Sequence, residues 1–87
     1  MRYVIVQVAA GGGSKQLPIC YSASLPDAVA KAMVDAALAQ SEGSRLVAAG
    51  NVAFFERAVS CDGFSDLFQI GSRGRHDEIL IQSADHL

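Results

Sequence analysis

Val4, Val6 and Val8 alternate with Tyr3, Ile5 and Gln7 near the start of the chain. A period of two belongs to a strand whose side chains leave opposite faces in turn, so residues 2–9 are expected to form a first strand. Leu17, Ile19 and Tyr21 repeat the period over residues 17–22. Pro18 cannot donate to a ladder and places this second strand at a sheet edge. Gly11 to Lys15 make a flexible tip between the two.

The period then lengthens. From Ser24 to Glu42, the residues Leu25, Val29, Ala32, Met33, Ala36 and Ala37 fall on one stripe at 100° per residue, with Asp27, Lys31, Asp35 and Glu42 opposite. Ser24 is the expected N-cap, with Asp27 three residues on, Pro26 in the first turn and Gly43 as the left-handed stop. On this wheel Leu38 lies among the polar residues with Val34 beside it. Either Leu38 is an isolated surface leucine, or the pair opens a small contact patch.

Short β-branched and aromatic runs follow, separated by turn signals. Residues 45–49 read as strand three and Gly50-Asn51 as a two-residue hairpin turn. Residues 52–61 read as strand four, with Asp62-Gly63 as a second turn. A helix over 52–61, capped by Asn51, is the open alternative, since Val52, Phe55 and Val59 share a helical face. Residues 64–70 are a fifth strand, and a loop of glycine and charged residues leads to a last strand over 78–83.

The expected fold class is therefore α+β, with a single helix (about 24–42) packed on an antiparallel sheet in the order β-β-α-β-β-β-β. With 87 residues, the chain 1–87 reads as one small globular domain. Several strands are apolar on both sides: Phe54 opposes Phe55, Leu67 opposes Phe68 and Ile70, and Leu80 opposes Ile79 and Ile81. One helix covers one sheet face, so the other is expected to be buried in a homodimer or against a partner.

A hydrophobic share of 51% against 18% charged residues argues for a folded domain, and a formal charge of −2 argues against direct nucleic-acid binding. No apolar run is long enough to span a membrane. Arg2 alone precedes the first apolar run, whose strand period differs from that of a leader. Two cysteines make no disulfide framework, which points to a reducing cytoplasm.

Candidate chemistry is sparse. The GGGSK tip lacks the GK[ST] ending and the following helix of a phosphate loop. Cys20, Cys61, His76 and His86 are not paired at zinc-binding spacings, so neither metal nor cofactor is expected. His76 and Asp77 could be drawn beside a cysteine nucleophile, Cys61 or Cys20, but a charged hairpin loop would not shield such a site from water, and the chain reads as non-enzymatic. Arg73, Arg75 and His76 form a basic cluster suited to a carboxylate, a phosphate or an acidic partner, partly offset by Asp77, Glu78 and Asp85. With Leu38 and Val34 these are the candidate partner-binding residues.

The runs DAVAKAM and SRLVAAGNVAFFE, a helix and then a tight Gly-Asn turn, resemble the helix-then-hairpin layout of small phage-encoded anti-CRISPR proteins. The likeness spans a third to a half of the chain and carries no site residues with it. It implies an inhibitor that acts by surface contact on a CRISPR effector complex. The leading expectation is thus a protein-binding module, and the alternative a self-associating subunit.

Overall fold

The computed structural model describes residues 1–84. Strands β1 (Arg2–Ala10) and β2 (Gly13–Tyr21) form a hairpin, followed by helix α1 (Asp27–Ala39). Strands β3 (Arg45–Phe55) and β4 (Ala58–Asp62) form a second hairpin. Two short strands, β5 (Phe64–Ser65) and β6 (Ile70–Gly71), pair with each other, and helix α2 (Arg75–Ala84) follows.

The main sheet is antiparallel with the order β2-β1-β3-β4. Both β2 and β3 run antiparallel to β1 and so parallel to one another, and α1 makes the long connection that parallel strands require. At the first hairpin, Gly11 and Gly12 have φ of 54° and 87°. Positive φ at both central residues is the turn that matches strand twist, and glycine adopts it without strain.

A helix lies on each face of the sheet. Val4 and Val6 of β1 pack with Tyr21, Ala49 and the α1 residues Ala30 and Val34, and Leu67, Phe68 and Ile70 of the β5–β6 ribbon complete that layer. Tyr3 and Ile5 leave the opposite face and pack with Ala48, Val52, Cys61 and Ile81 of α2. Central strand β1 is therefore buried on both sides, which its unbroken run of large apolar residues from Tyr3 to Val6 allows. Each such side chain removed from water contributes roughly 1.5–3 kcal/mol.

The α+β class, the antiparallel sheet and a helix in the 24–42 region match expectation, but several finer readings are corrected. The described residues form two helices: residues 78–83, expected as a strand, belong to α2. Gly74 (φ 60°) turns the chain, its carbonyl accepts from the Glu78 N–H at 3.1 Å, and Asp77 and Glu78 occupy the acid-favouring first turn. Asp77 and Ile81, four residues apart, make its buried face. The need for a second copy to cover the far sheet face disappears with this helix.

Gly50-Asn51 is not a turn. β3 runs through it to Phe55, and the reversal falls at Glu56-Arg57, where neither residue has positive φ. Gly50 is glycine for space: a Cβ there would lie 2.5 Å from the Asp62 carbonyl oxygen and 3.2 Å from the Ser72 side chain. Residues 52–61 are extended apart from that reversal. Gly63 (φ 85°) bends the chain out of the sheet without making a hairpin, and the fifth strand reduces to β5 and β6 around a turn.

Ser24 does not cap α1. A residue before proline avoids the helical region, so Leu25 cannot open the helix, which starts after Pro26 (φ −58°, ψ 143°). The Ser24 hydroxyl instead bonds that of Ser22 at 2.8 Å. At the other end, the Ser44 hydroxyl reaches the carbonyls of Leu38 and Ser41 before the chain enters β3.

Candidate protein-contact site

The basic cluster is positioned by a buried carboxylate. Asp77 is wholly inaccessible, and its Oδ2 accepts from the Tyr3 hydroxyl and, at 2.8 Å, from the Arg73 backbone N–H. Its Oδ1 accepts from Arg73 Nε, also at 2.8 Å. The Ser72 hydroxyl donates to the Tyr3 hydroxyl oxygen at 2.7 Å, and its Oγ accepts from the Gly74 N–H at 2.9 Å. A carboxylate at a helix N-terminus with charge-assisted donors is a stable burial, because every polar atom is matched. The loop between β6 and α2 is thereby held rigidly against β1.

Arg73 is consumed by this arrangement. Besides Asp77, its guanidinium donates to Gln16 Oε1 at 2.9 Å, and Gln16 in turn donates to Gln7. Arg75 and His76 point the other way and are exposed; the Arg75 side chain is 81% accessible, with only a 3.9 Å pair to Glu78. Of the three basic residues, two are open to a partner.

His76 meets a groove between α2 and the free edge of β2. It holds about 660 Å³ and is lined by Ser14, Lys15, Gln16, Leu17, Pro18, His76 and Leu80, with the end of α2 closing it. His76 and Leu80 also line an adjoining hollow of about 420 Å³ with Arg75 and Ile79. The groove mixes Leu17, Pro18 and Leu80 with polar residues, among them Lys15 and His76, and Arg75 joins His76 in the adjoining hollow. On the other face of the sheet a cleft of about 510 Å³ runs along the same strand, lined by Val6, Val8, Leu17, Pro18, Ile19 and Ala37 among others.

Val34 and Leu38 lie elsewhere. Val34 is 1% exposed and sits in the core under α1, and Leu38 packs beside it. Neither adjoins the basic residues, and Val34 offers no surface to a partner, which corrects its expected place beside a contact patch. The wheel drawn through Leu25 and Val29 is rotated: the row Ala30, Val34, Leu38 faces the sheet, and Val29 is half-exposed. In an alanine-rich helix the stripe is poorly defined, and the larger side chains at 34 and 38 decide it.

Two features escaped sequence reasoning. Lys15 and Leu80 come from opposite ends of the chain, so no local signal joins them to His76. The other is the tip of the β3–β4 hairpin, where Phe54 and Phe55 are 43% and 63% exposed, with Phe64 also open. Their alternation was visible, but their exposure was not.

The reactive groups are turned inward. Burial, followed by the charges of Asp77 and Glu78, pushes the Cys61 thiol up to about 11, so it is protonated at neutral pH. Glu78 Oε2 accepts from the Cys61 backbone N–H at 2.9 Å, closing part of the β4 edge. Among the described residues no three of His, Cys, Asp and Glu are grouped to hold a metal ion, and no helix is long and apolar enough to cross a membrane. Asp85 and His86 lie outside the described residues. Comparison with protein-family models, curated proteins and solved structures finds no match.

Proposed function

We propose that the chain is a non-enzymatic protein-binding module whose contact surface is the groove between β2 and α2. The observation that carries this reading is that Lys15 and His76 line a groove of mixed polar and apolar side chains beside an open strand edge, with Arg75 in the adjoining hollow. The apolar side chains Leu17, Pro18, Ile79 and Leu80 supply contact area, and the basic residues among them select for an acidic partner. The protonated, buried Cys61 supports a role in binding over one in nucleophilic catalysis.

The test is affinity capture with the native chain and with a triple charge reversal, Lys15→Glu, Arg75→Glu and His76→Glu. Circular dichroism should show both folded. A stoichiometric partner taken by the native chain and lost by the variant is the expected result. Equal capture by both, or recovery of the bait alone, would move the contact elsewhere. A lysate with active CRISPR effector complexes is the first to use, because the layout resembles anti-CRISPR inhibitors; an effector subunit in the captured set would support an inhibitor of that kind.

The exposed phenylalanines favour a second reading, self-association through the β3–β4 tip. Phe54→Ser with Phe55→Ser should then shift a concentration-dependent sedimentation profile to monomer. A native chain that stays monomeric at high concentration removes this reading.

A further inference from the structure

We infer that the partner is bound by strand addition: an extended segment, alternating acidic and apolar residues, pairs with the free edge of β2 as a fifth strand. This rests on the groove as the contact surface and specifies what fills it.

The register fixes which backbone groups are on offer. In a two-residue hairpin the residues flanking the turn, Ala10 and Gly13, exchange hydrogen bonds, and bonded pairs recur at every second position. Val8 with Lys15 and Val6 with Leu17 are therefore turned toward each other. Ser14, Gln16 and Pro18 present their backbones outward. Among the described residues nothing bonds the Ser14 or Gln16 backbone N–H. Pro18 lacks a donor but keeps an outward carbonyl.

The opposite edge differs. On β4 the outward Cys61 N–H is already taken by Glu78. The β4 edge is closed in part, whereas the β2 edge is open at Ser14 and Gln16 and is flanked by a groove on each face. Leu17 and Pro18 line both grooves and form the ridge between them.

A strand laid along β2 would send successive side chains alternately to the two faces. One set faces the groove that His76 lines, with Arg75 in the adjoining hollow; the other faces the cleft walled by Val6, Val8 and Ala37, the face on which Lys15 pairs with Val8. The first calls for carboxylates and the second for valine- or leucine-sized groups. Backbone pairing would supply affinity and the two grooves specificity, the usual division of labour in strand addition.

The experiment uses the intact chain and a nonapeptide alternating glutamate with valine, with acetylated and amidated ends. Hydrogen exchange is followed by NMR. Exchange at the Ser14 and Gln16 amides should slow by about tenfold or more at saturation, as expected when exposed N–H groups acquire acceptors. A peptide N-methylated on its β2-facing amides, and one with lysine for glutamate, should both fail to do this.

Shifts at Lys15, His76 and Leu80 without slowed exchange, matched by the N-methylated peptide, would overturn strand addition while leaving the groove as the contact surface. No binding by any peptide would also overturn it, and the charge-reversal capture would then judge the groove independently. Slow exchange at Ser14 and Gln16 in the free chain at high concentration, with dimer mass, would overturn the assignment to a partner in favour of a second copy.

Discussion

The Tyr3 hydroxyl on central strand β1 donates to the Asp77 carboxylate in the first turn of α2, across 74 residues of chain. This contact joins the first strand to the last helix in the interior. It also sets the direction of the loop that carries Arg73 inward and Arg75 outward. The basic residues beside the groove therefore depend on a buried polar network some way behind them.

Tyr3→Phe should lower the unfolding free energy by about 1.5–3 kcal/mol, the range for a hydrogen bond to a charged group. Asp77→Ala should cost more, about 3–5 kcal/mol, because it leaves the Arg73 guanidinium and the Tyr3 hydroxyl without their acceptor. Urea unfolding gives both values. A smaller loss in Asp77→Ala than in Tyr3→Phe would mean that the carboxylate is not the centre of the network.

Alkaline pH should destabilise the fold. Burial raises the Cys61 thiol from 9.0 to about 11, so across that window the unfolded chain has released a proton that the folded chain still holds. Stability is full below the lower value and falls as pH rises toward the upper one, with a limiting slope of about 1.4 kcal/mol per pH unit per group. The Tyr3 phenol, raised by burial and then by Asp77, adds a loss of the same sign at higher pH. Unfolding midpoints from pH 8 to 11 should fall less steeply in Cys61→Ala, and a profile unchanged by that substitution would remove Cys61 as the cause.

Gly50→Ala should destabilise although Gly50 lies within a strand. The added methyl would meet the Asp62 carbonyl oxygen at 2.5 Å, and backbone cannot give way as a flexible side chain can. A cost of about 1–3 kcal/mol is expected for such overpacking, seen as a lowered thermal midpoint. A neutral or stabilising result, as replacement of strand glycine by alanine gives where space exists, would show that the two chains are further apart there.

The rotation of α1 is tested by a pair of equal truncations. Val34→Ala, in the core, should cost about 1.5–3 kcal/mol. Val29→Ala, half-exposed, should stay within about 0.5 kcal/mol of the native chain. The reverse order would restore the stripe through Leu25 and Val29.

Where the sequence misled, the physical cause is local ambiguity. Gly50-Asn51 has the composition of a hairpin turn, yet glycine is needed there because Asp62 and Ser72 approach closely. The true turn at Glu56-Arg57 carries no residue specialised for positive φ and leaves no mark. Residues 78–83 alternate well enough for a strand, while their helical start depends on Gly74 and on a buried Asp77 whose partners are distant. Arg75 and His76 were visible as a basic pair. That Arg73 would turn inward followed only from Asp77.

By itself the amino-acid sequence determined the mixed class of the fold, the first hairpin, the helix in the 24–42 region and the edge position of β2. Each of these rests on interactions within a few residues, on period, turn chemistry and the missing N–H of Pro18. The tertiary structure decided the second helix, the face that α1 presents, the inward turn of Arg73 toward Asp77 and the groove that joins Lys15 to His76 and Leu80. Those depend on contacts between residues up to 74 positions apart, whose free energy exists only once the chain has closed on itself.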